Sequence, residues 1–383
     1  MRAAALALAV LVLAVPAAAA TPPGLKLLVR DGSRLAVVYL DRPAPFVQPL
    51  LHPRPGLLAF SGDGRLISIG GTIVGRARLP TRWLAWAPTG ERAAYVTTQG
   101  GVVEWTPAGL RRLEPNGWGA QWWWSPSVAW SRDGALAVAR GSSIWVLRRG
   151  TARRVVGPVA PNCCTGGPDI PVPFAWSGDR VLWWDWPGSG SVAADGVSLY
   201  AGTRRLGITL MYPDYAAVCG SHLAFAEGVD RESTDNKKIV FDGRDVSLDP
   251  KRSWASPSCT PAGRLVASAS RNLIPRLTSE THRALWQLLP ARRQLTRPPW
   301  GWSDEEPHLF PDGTVLFVRS RTTSRKGPTG GWIDTQEGRV MLLDHGKLRQ
   351  VAEIGFRQPD DVYTYPVEYY GHYDWSQLLA VSP

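Results

Sequence analysis

The chain has 383 residues, 44% of them hydrophobic and 20% charged, with 39 Gly, 33 Pro, 19 Trp and 4 Cys. That much apolar material excludes a disordered tail, and so few cysteines at this length exclude a small module held together by disulfides. The 43 basic and 32 acidic residues leave a formal net charge of +11, carried by 37 Arg and only 6 Lys. Such a balance favours acidic surfaces, for example anionic polymers or lipid headgroups. The arginines are scattered along the sequence and no nucleic-acid-reading motif is present, so nucleic acid is not an expected partner.

The first 20 residues read as a secretory signal peptide. Met1 and Arg2 precede an Ala/Leu/Val run to Val15, and Pro16 and Ala17 to Ala20 supply the small residues before a cleavage point after Ala20. The alternative is an uncleaved anchor, which the small-residue end disfavours. No later stretch is long and apolar enough to cross a membrane, so residues 21–383 are expected to form one secreted or periplasmic domain without a transmembrane segment, most simply a monomer.

From there a single pattern repeats. An Asp/Asn/Gly turn flanked by alternating apolar residues recurs at Leu58–Leu66, Leu84–Gly90, Val128–Leu136, Phe174–Asp179, Ser258–Leu265 and His308–Leu316, with a weaker copy over Ala217–Phe225. Each copy reads as strand, tight turn and strand, and further apolar runs such as Ser143–Leu147 complete the unit. Between Gly90, Gly134, Asp179, Ser221 and Gly263 the steps are 44, 45, 42 and 42 residues, the length of one four-stranded sheet. No helix of ordinary length competes, and the best amphipathic stretch, His282–Leu289, also reads as a strand.

Regular four-stranded units without crossover helices predict an all-β fold, a beta-propeller, with a β-sandwich as the competing architecture. Tyr373–Val381 repeats the inner half of a unit and Leu25–Leu35 the outer half, so strands from both termini are expected to share one blade and close the ring. Seven blades are expected, with six or eight as alternatives, because the 26 residues from Gly64 to Gly90 suggest a reduced or merged blade.

The motif resembles the TolB-type, WD40-like (PD40) propeller repeat, approximately proline, aromatic, Ser-Pro-Asp-Gly and a short hydrophobic strand. Glu306–Phe317 is its best match, followed by Trp130–Gly134 and Trp86–Gly90. The resemblance holds at repeat level across most of the chain after residue 20. It implies the fold and is compatible with binding proteins, enzyme accessory domains and scaffolds alike.

Few residues suggest chemistry. Cys163, Cys164, Cys219 and Cys259 lie in an exported chain and are candidate disulfide residues. Adjacent cysteines bridge poorly to each other, so the 163/164 loop is expected to pair with Cys219 and Cys259, a vicinal bond being the alternative. The six His form no HExxH or comparable pair, so neither a metal nor any other cofactor is expected. His308 reads as packed near a blade turn, and Asp304-Glu305-Glu306 and Asp360-Asp361 as solvated loops.

Tryptophan is the informative surplus. Trp86, Trp130, Trp176 and Trp254 recur near equivalent blade positions and should fill the wedges between blades. Trp118, Trp122 to Trp124, Trp183, Trp184 and Trp186 crowd near Gly/Pro turns, and successive strand residues alternate faces, so Trp122 to Trp124 cannot all enter one core. The expected ligand face therefore combines Trp122, Trp123, Trp124 and Trp184 with Arg148 and Arg149, next to Arg153 and Arg154. No catalytic residue is assigned. The leading expectation is a noncatalytic extracytoplasmic binding or scaffold protein whose partner is an envelope protein or an acidic glycan. The alternatives are a propeller hydrolase or lyase acting on an extracellular glycan or ester, with Asp185, Asp214, Glu227 and Asp230 as contributors, and a sensor or assembly element.

Overall fold

Ser131-Arg132-Asp133-Gly134 shows why the chain turns where the repeat says it does. The Ser131 hydroxyl donates to the Asp133 carboxylate at 2.5 Å and accepts the Ala135 amide at 2.7 Å, while Gly134 takes a φ of 83° that a side chain would strain. Ser61 and Asp63 repeat the bond at 2.6 Å, and Asp312 accepts the Thr314 amide at 2.9 Å. Each turn joins the first two strands of a blade.

The computed structural model describes residues 25–31, 34–40, 46–50, 57–119, 127–159, 170–186, 196–209, 215–228, 238–247, 249, 251–271, 282–326, 332–357 and 378–382. Their strands form eight four-stranded antiparallel sheets. Blade 1 holds β1 (Lys26–Asp31), β2 (Arg34–Tyr39) and β3 (Phe46–Leu50), and blade 2 holds β4 (Leu58–Phe60), β5 (Ile67–Ile69), β6 (Thr72–Ile73) and β7 (Ala77–Arg78). Blade 3 comprises β8 (Ala85–Trp86), β9 (Ala93–Val96), β10 (Val102–Thr106) and β11 (Gly109–Glu114); blade 4 comprises β12 (Val128–Trp130), β13 (Leu136–Arg140), β14 (Ser143–Arg148) and β15 (Thr151–Val156). Blade 5 is β16 (Ile170–Ser177), β17 (Arg180–Trp186), β18 (Val197–Ala201) and β19 (Arg204–Thr209), and blade 6 is β20 (Ala216–Cys219), β21 (His222–Glu227), β22 (Lys238–Phe241) and β23 (Arg244–Asp245). Blade 7 contains β24 (Arg252–Cys259), β25 (Leu265–Arg271), β26 (Arg283–Leu289) and β27 (Arg293–Gln294), and blade 8 contains β28 (Ser303–Leu309), β29 (Val315–Lys326), β30 (Trp332–Asp344) and β31 (Lys347–Arg357).

The last strand, β32 (Leu379–Val381), returns to blade 1 and pairs antiparallel with β1, Leu28 opposite Ala380. The ring is thus closed by both termini, as the half-repeats imply. The count is eight blades rather than the expected seven. The 26-residue step is a complete blade after all, because blade 2 uses strands of only two or three residues where blade 8 uses strands of seven to 13.

First strands of neighbouring blades pack on one another around the centre, and the fourth strands form the rim. Turns between first and second strands and between third and fourth strands share one face. All other connections leave from the opposite face. Among the described residues no helix is long and apolar enough to cross a membrane.

The seams explain the tryptophans. Trp130 donates its indole N–H to the Ala85 carbonyl of blade 3 at 3.1 Å, and Trp176 donates to the Ala129 carbonyl of blade 4 at 2.9 Å. Trp86 reaches Ser68 of blade 2 at 2.8 Å. Each bolts its blade to the one before. Trp254 does not share this position: it lies opposite Ala269, at the other end of its strand, where it is fully buried in the seam between blades 6 and 7. The residue at the bolt position of blade 7 is Cys259, opposite Leu265 as Trp130 is opposite Leu136.

Cys259 is disulfide-bonded to Cys219 of blade 6, with Cα atoms 5.7 Å apart. This overturns the expected pairing of both cysteines with the 163/164 loop. The geometric reason is that Cys219 and Cys259 end adjacent innermost strands, β20 and β24, and face each other across one seam. Cys163 and Cys164 lie outside the described residues.

Two buried carboxylates sit inside cationic clamps. Glu104 accepts from Arg92 at 2.6 and 2.8 Å and from Arg111 at 2.9 Å, and the Arg92 guanidinium lies 4.7 Å over the Trp130 ring of the next blade. Asp304 is 0% exposed and paired bidentately with Arg319 at 2.6 and 2.9 Å. The run Asp304-Glu305-Glu306 is therefore not a solvated loop; it belongs to innermost strand β28, because register places Asp304 opposite Arg319.

Candidate functional site

Among the described residues a cavity of about 300 Å³ between blades 7 and 8 is lined by Arg264, Gln287, Arg293, Asp312 and His345, and two further regions combine concavity with polar side chains. One is the seam between blades 4 and 5 on the short-turn face. There Val146 and Val155 of blade 4 meet Trp176, Val181 and Ala201 of blade 5 around a cavity of about 440 Å³. The apolar wall follows from strand alternation: Val146 and Ile144 share the face of blade 4 that packs on Val181 and Trp183. Asp179, Arg180, Gly202, Thr203 and Arg204 form the rim, supplied by the two short turns of blade 5.

Charge gathers around this cavity. Arg153 is the strand partner of Val146, so it stands on the cavity side of β15, and Arg205 is the partner of Tyr200, whose ring stacks on Trp183 in the same seam at 4.2 Å. Arg148, Arg149, Arg153, Arg154, Arg180, Arg204 and Arg205 are all exposed, against the carboxylates of Asp133 and Asp179. Asp133 is already engaged. The Ser131 hydroxyl first, and Arg148 after it, hold its carboxyl below the usual range. Arginines that look scattered in the sequence are thus collected on one face by the blade turns.

The second region is the central channel. A strand neighbour covers one edge of each innermost strand and the flanking blades cover both faces, so accessible surface midway along it opens on the channel. Glu305, Glu306 and His308 of β28 are accessible in this way, as are Ser258 of β24 and Ala216 to Val218 of β20. Glu306 has a left-handed φ of 48° at a β-bulge, and its carboxylate lies 3.7 Å from the His308 ring. A third of the His308 side chain is accessible (34%), yet the protein around it strips away enough water to lower its pKa to about 4.

That value fixes the sign of a pH effect. The ordinary imidazole value near 6.5 applies to the unfolded chain, which takes up a proton before the folded protein does, so stability is lost as pH falls from about 6.5 to 4. His308→Gln is expected to make the decline in melting temperature over that window shallower. Equal slopes for the variant and the parent protein would contradict it.

Among the described residues, Trp184 is not brought to Arg148 and Arg149. Trp184 is buried and stacks on Phe174 at 3.8 Å in the seam between blades 5 and 6, while its neighbour Trp183 enters the seam between blades 4 and 5. Arg148 and Arg149 form the exposed turn before β15. Trp122, Trp123 and Trp124 lie outside the described residues. Trp176, assigned in the sequence to packing, lines the cavity together with Arg180 and Arg204.

Of the carboxylates considered for catalysis, Asp185 is half-buried on second strand β17, and Glu227 is paired with Lys238 at 2.9 Å, a hydrogen bond that raises the lysine's pKa. Asp214, Asp230, Asp360 and Asp361 lie outside the described residues. Among the described residues no group of three or more His, Cys, Asp or Glu is placed to hold a metal ion.

No protein-family model matches the chain, and no curated protein matches it significantly. Among solved structures, Pyrococcus horikoshii acylaminoacyl peptidase is similar with a TM-score of 0.38 and 12% identity, over 80% of this chain and 52% of that one. Prolyl oligopeptidase B from Galerina marginata gives 0.33 and 12%, over 82% and 56%. Apo AztD from Citrobacter koseri gives 0.29 and 12%, over 86% and 94%. The chain spans about half the length of the two peptidases. These are loose likenesses of fold and carry nothing about activity.

Proposed function

We propose that this is a noncatalytic extracytoplasmic binding or scaffold protein of TolB-like propeller type, directed out of the cytoplasm by residues 1–20, whose short-turn face holds an acidic partner at the seam between blades 4 and 5. The observation that carries this reading is the cavity of about 440 Å³ with a Trp176 and valine wall and a rim containing Arg180 and Arg204. An apolar wall supplies area, and fixed guanidinium groups supply orientation and choice of sign. Neither chemistry nor an ordered water is required of such a site.

The test is a titration with poly-L-glutamate at low and moderate salt. Arg180→Glu combined with Arg204→Glu alters exposed side chains and should leave the fold intact. Affinity is expected to fall at least tenfold, about 1.4 kcal/mol, and binding by the parent protein should weaken with salt. Unchanged affinity in the double variant would overturn the assignment to this seam.

A second reading, a hydrolase or lyase acting on an extracellular glycan or ester, draws support from the Glu306–His308 contact on the channel wall. It requires substrate turnover that is lost in Glu306→Gln.

A further inference from the structure

The outer edge of blade 4 indicates what kind of acidic partner the seam fits. β15 is the outermost strand of its sheet and is six residues long, as are β11 and β19 of blades 3 and 5, while β31 of blade 8 has 11 and the outermost strands β7, β23 and β27 have two each; of the longer edges, β15 lines the cavity with an apolar residue, Val155. Short outer strands offer little backbone to pair with. β15 offers a full strand's length, Thr151 to Arg154 are exposed, and no strand among the described residues pairs with its outer side.

Arginines on an edge strand ordinarily guard it against other chains. Guarding by charge needs no cavity beside it, and the face of β15 that carries Arg153 borders the cavity through Val155. Charge of one sign is also a selective guard. It turns away basic strands and attracts acidic ones.

We infer that the partner is an extended acidic protein segment that pairs with β15 as a fifth strand of blade 4. This rests on the anionic reading of the seam given above. Side chains of an added strand alternate between the two faces of the sheet. Those on the seam side would place an apolar group beside Val155 and carboxylates beside Arg153 and Arg204, at the outer mouth of the cavity. Main-chain hydrogen bonds to β15 would supply affinity and the arginines specificity, the division of labour in strand addition.

The experiment titrates the intact protein with three probes: an eight-residue peptide of alternating Glu and Val, the same peptide N-methylated at alternate amides, and polyglucuronate. N-methylation keeps every charge and removes the strand-pairing donors. The unmodified peptide is expected to bind, the methylated one at least tenfold more weakly, and Arg153→Glu is expected to weaken the unmodified peptide at least tenfold without moving the melting temperature. Equal binding of both peptides would overturn strand addition, and so would binding of polyglucuronate with neither peptide; both results would leave the anionic seam standing. If none of the three bound, the seam reading would fall as well.

Discussion

Reduction of the Cys219–Cys259 bond is expected to lower stability by about 4 kcal/mol, the loop entropy released when a bridge across 40 residues is opened. For a chain of this size that corresponds to roughly 5 °C in melting temperature. The bridge also takes the place of the tryptophan bolt that other seams possess. Between blades 3 and 4 and between blades 4 and 5, an indole from Trp130 or Trp176 reaches a carbonyl of the preceding blade. Between blades 6 and 7, Cys259 occupies that place. Thermal melts with and without dithiothreitol, and of Cys259→Ser, provide the check. Coincident melts would show that the bridge contributes nothing and that the seam is held by Trp254 and its apolar neighbours alone.

Asp304→Ala is expected to cost about 3–5 kcal/mol, because it strands the Arg319 guanidinium in a buried site. The carboxylate has no exposure and both its oxygens accept from the same arginine, so no water can replace it without rearrangement. Removing both charges, as in Asp304→Leu with Arg319→Met, should recover most of the loss. Chemical denaturation of the two variants separates the pair's desolvation from its packing. If the single variant were as stable as the parent protein, the ion pair would not be an element of blade 8.

The repeating turns were legible because their chemistry is local. Ser131, Asp133 and Gly134 satisfy one another within four residues, and the same residue types recur at a blade's spacing. Ring closure was legible for a similar reason, although blade 1 takes three strands from the N-terminal end and one, β32, from the C-terminal end rather than a half from each. The eighth blade was hidden by length: strands of two or three residues in blade 2 leave almost no periodicity to read. The disulfide did have a signal. Trp130 stands four residues before Gly134, and Cys259 stands four residues before Gly263, so aligning the copies on their glycines puts a cysteine where a seam bolt belongs.

The candidate site was less legible, because it belongs to no single repeat. Val146, Val155, Trp176 and Arg204 come from two blades and four strands or turns, and only the seam brings them together. Arg148 and Arg149 read as a basic face from the sequence, but placing Trp176 in one cavity with Arg180 and Arg204 depends on which strand ends share a face. Asp304 shows the same limit from the other side. Three consecutive acidic residues look solvated until the register with β29 supplies Arg319.

The most direct measurement is hydrogen exchange of the protein with and without poly-L-glutamate, resolved by peptide. Slowed exchange at residues 144–156, 176–181 and 201–205 is the predicted footprint of an acidic partner on the seam between blades 4 and 5. Slowed exchange confined to residues 303–309 on the channel wall would contradict it and move the binding site to Glu306 and His308.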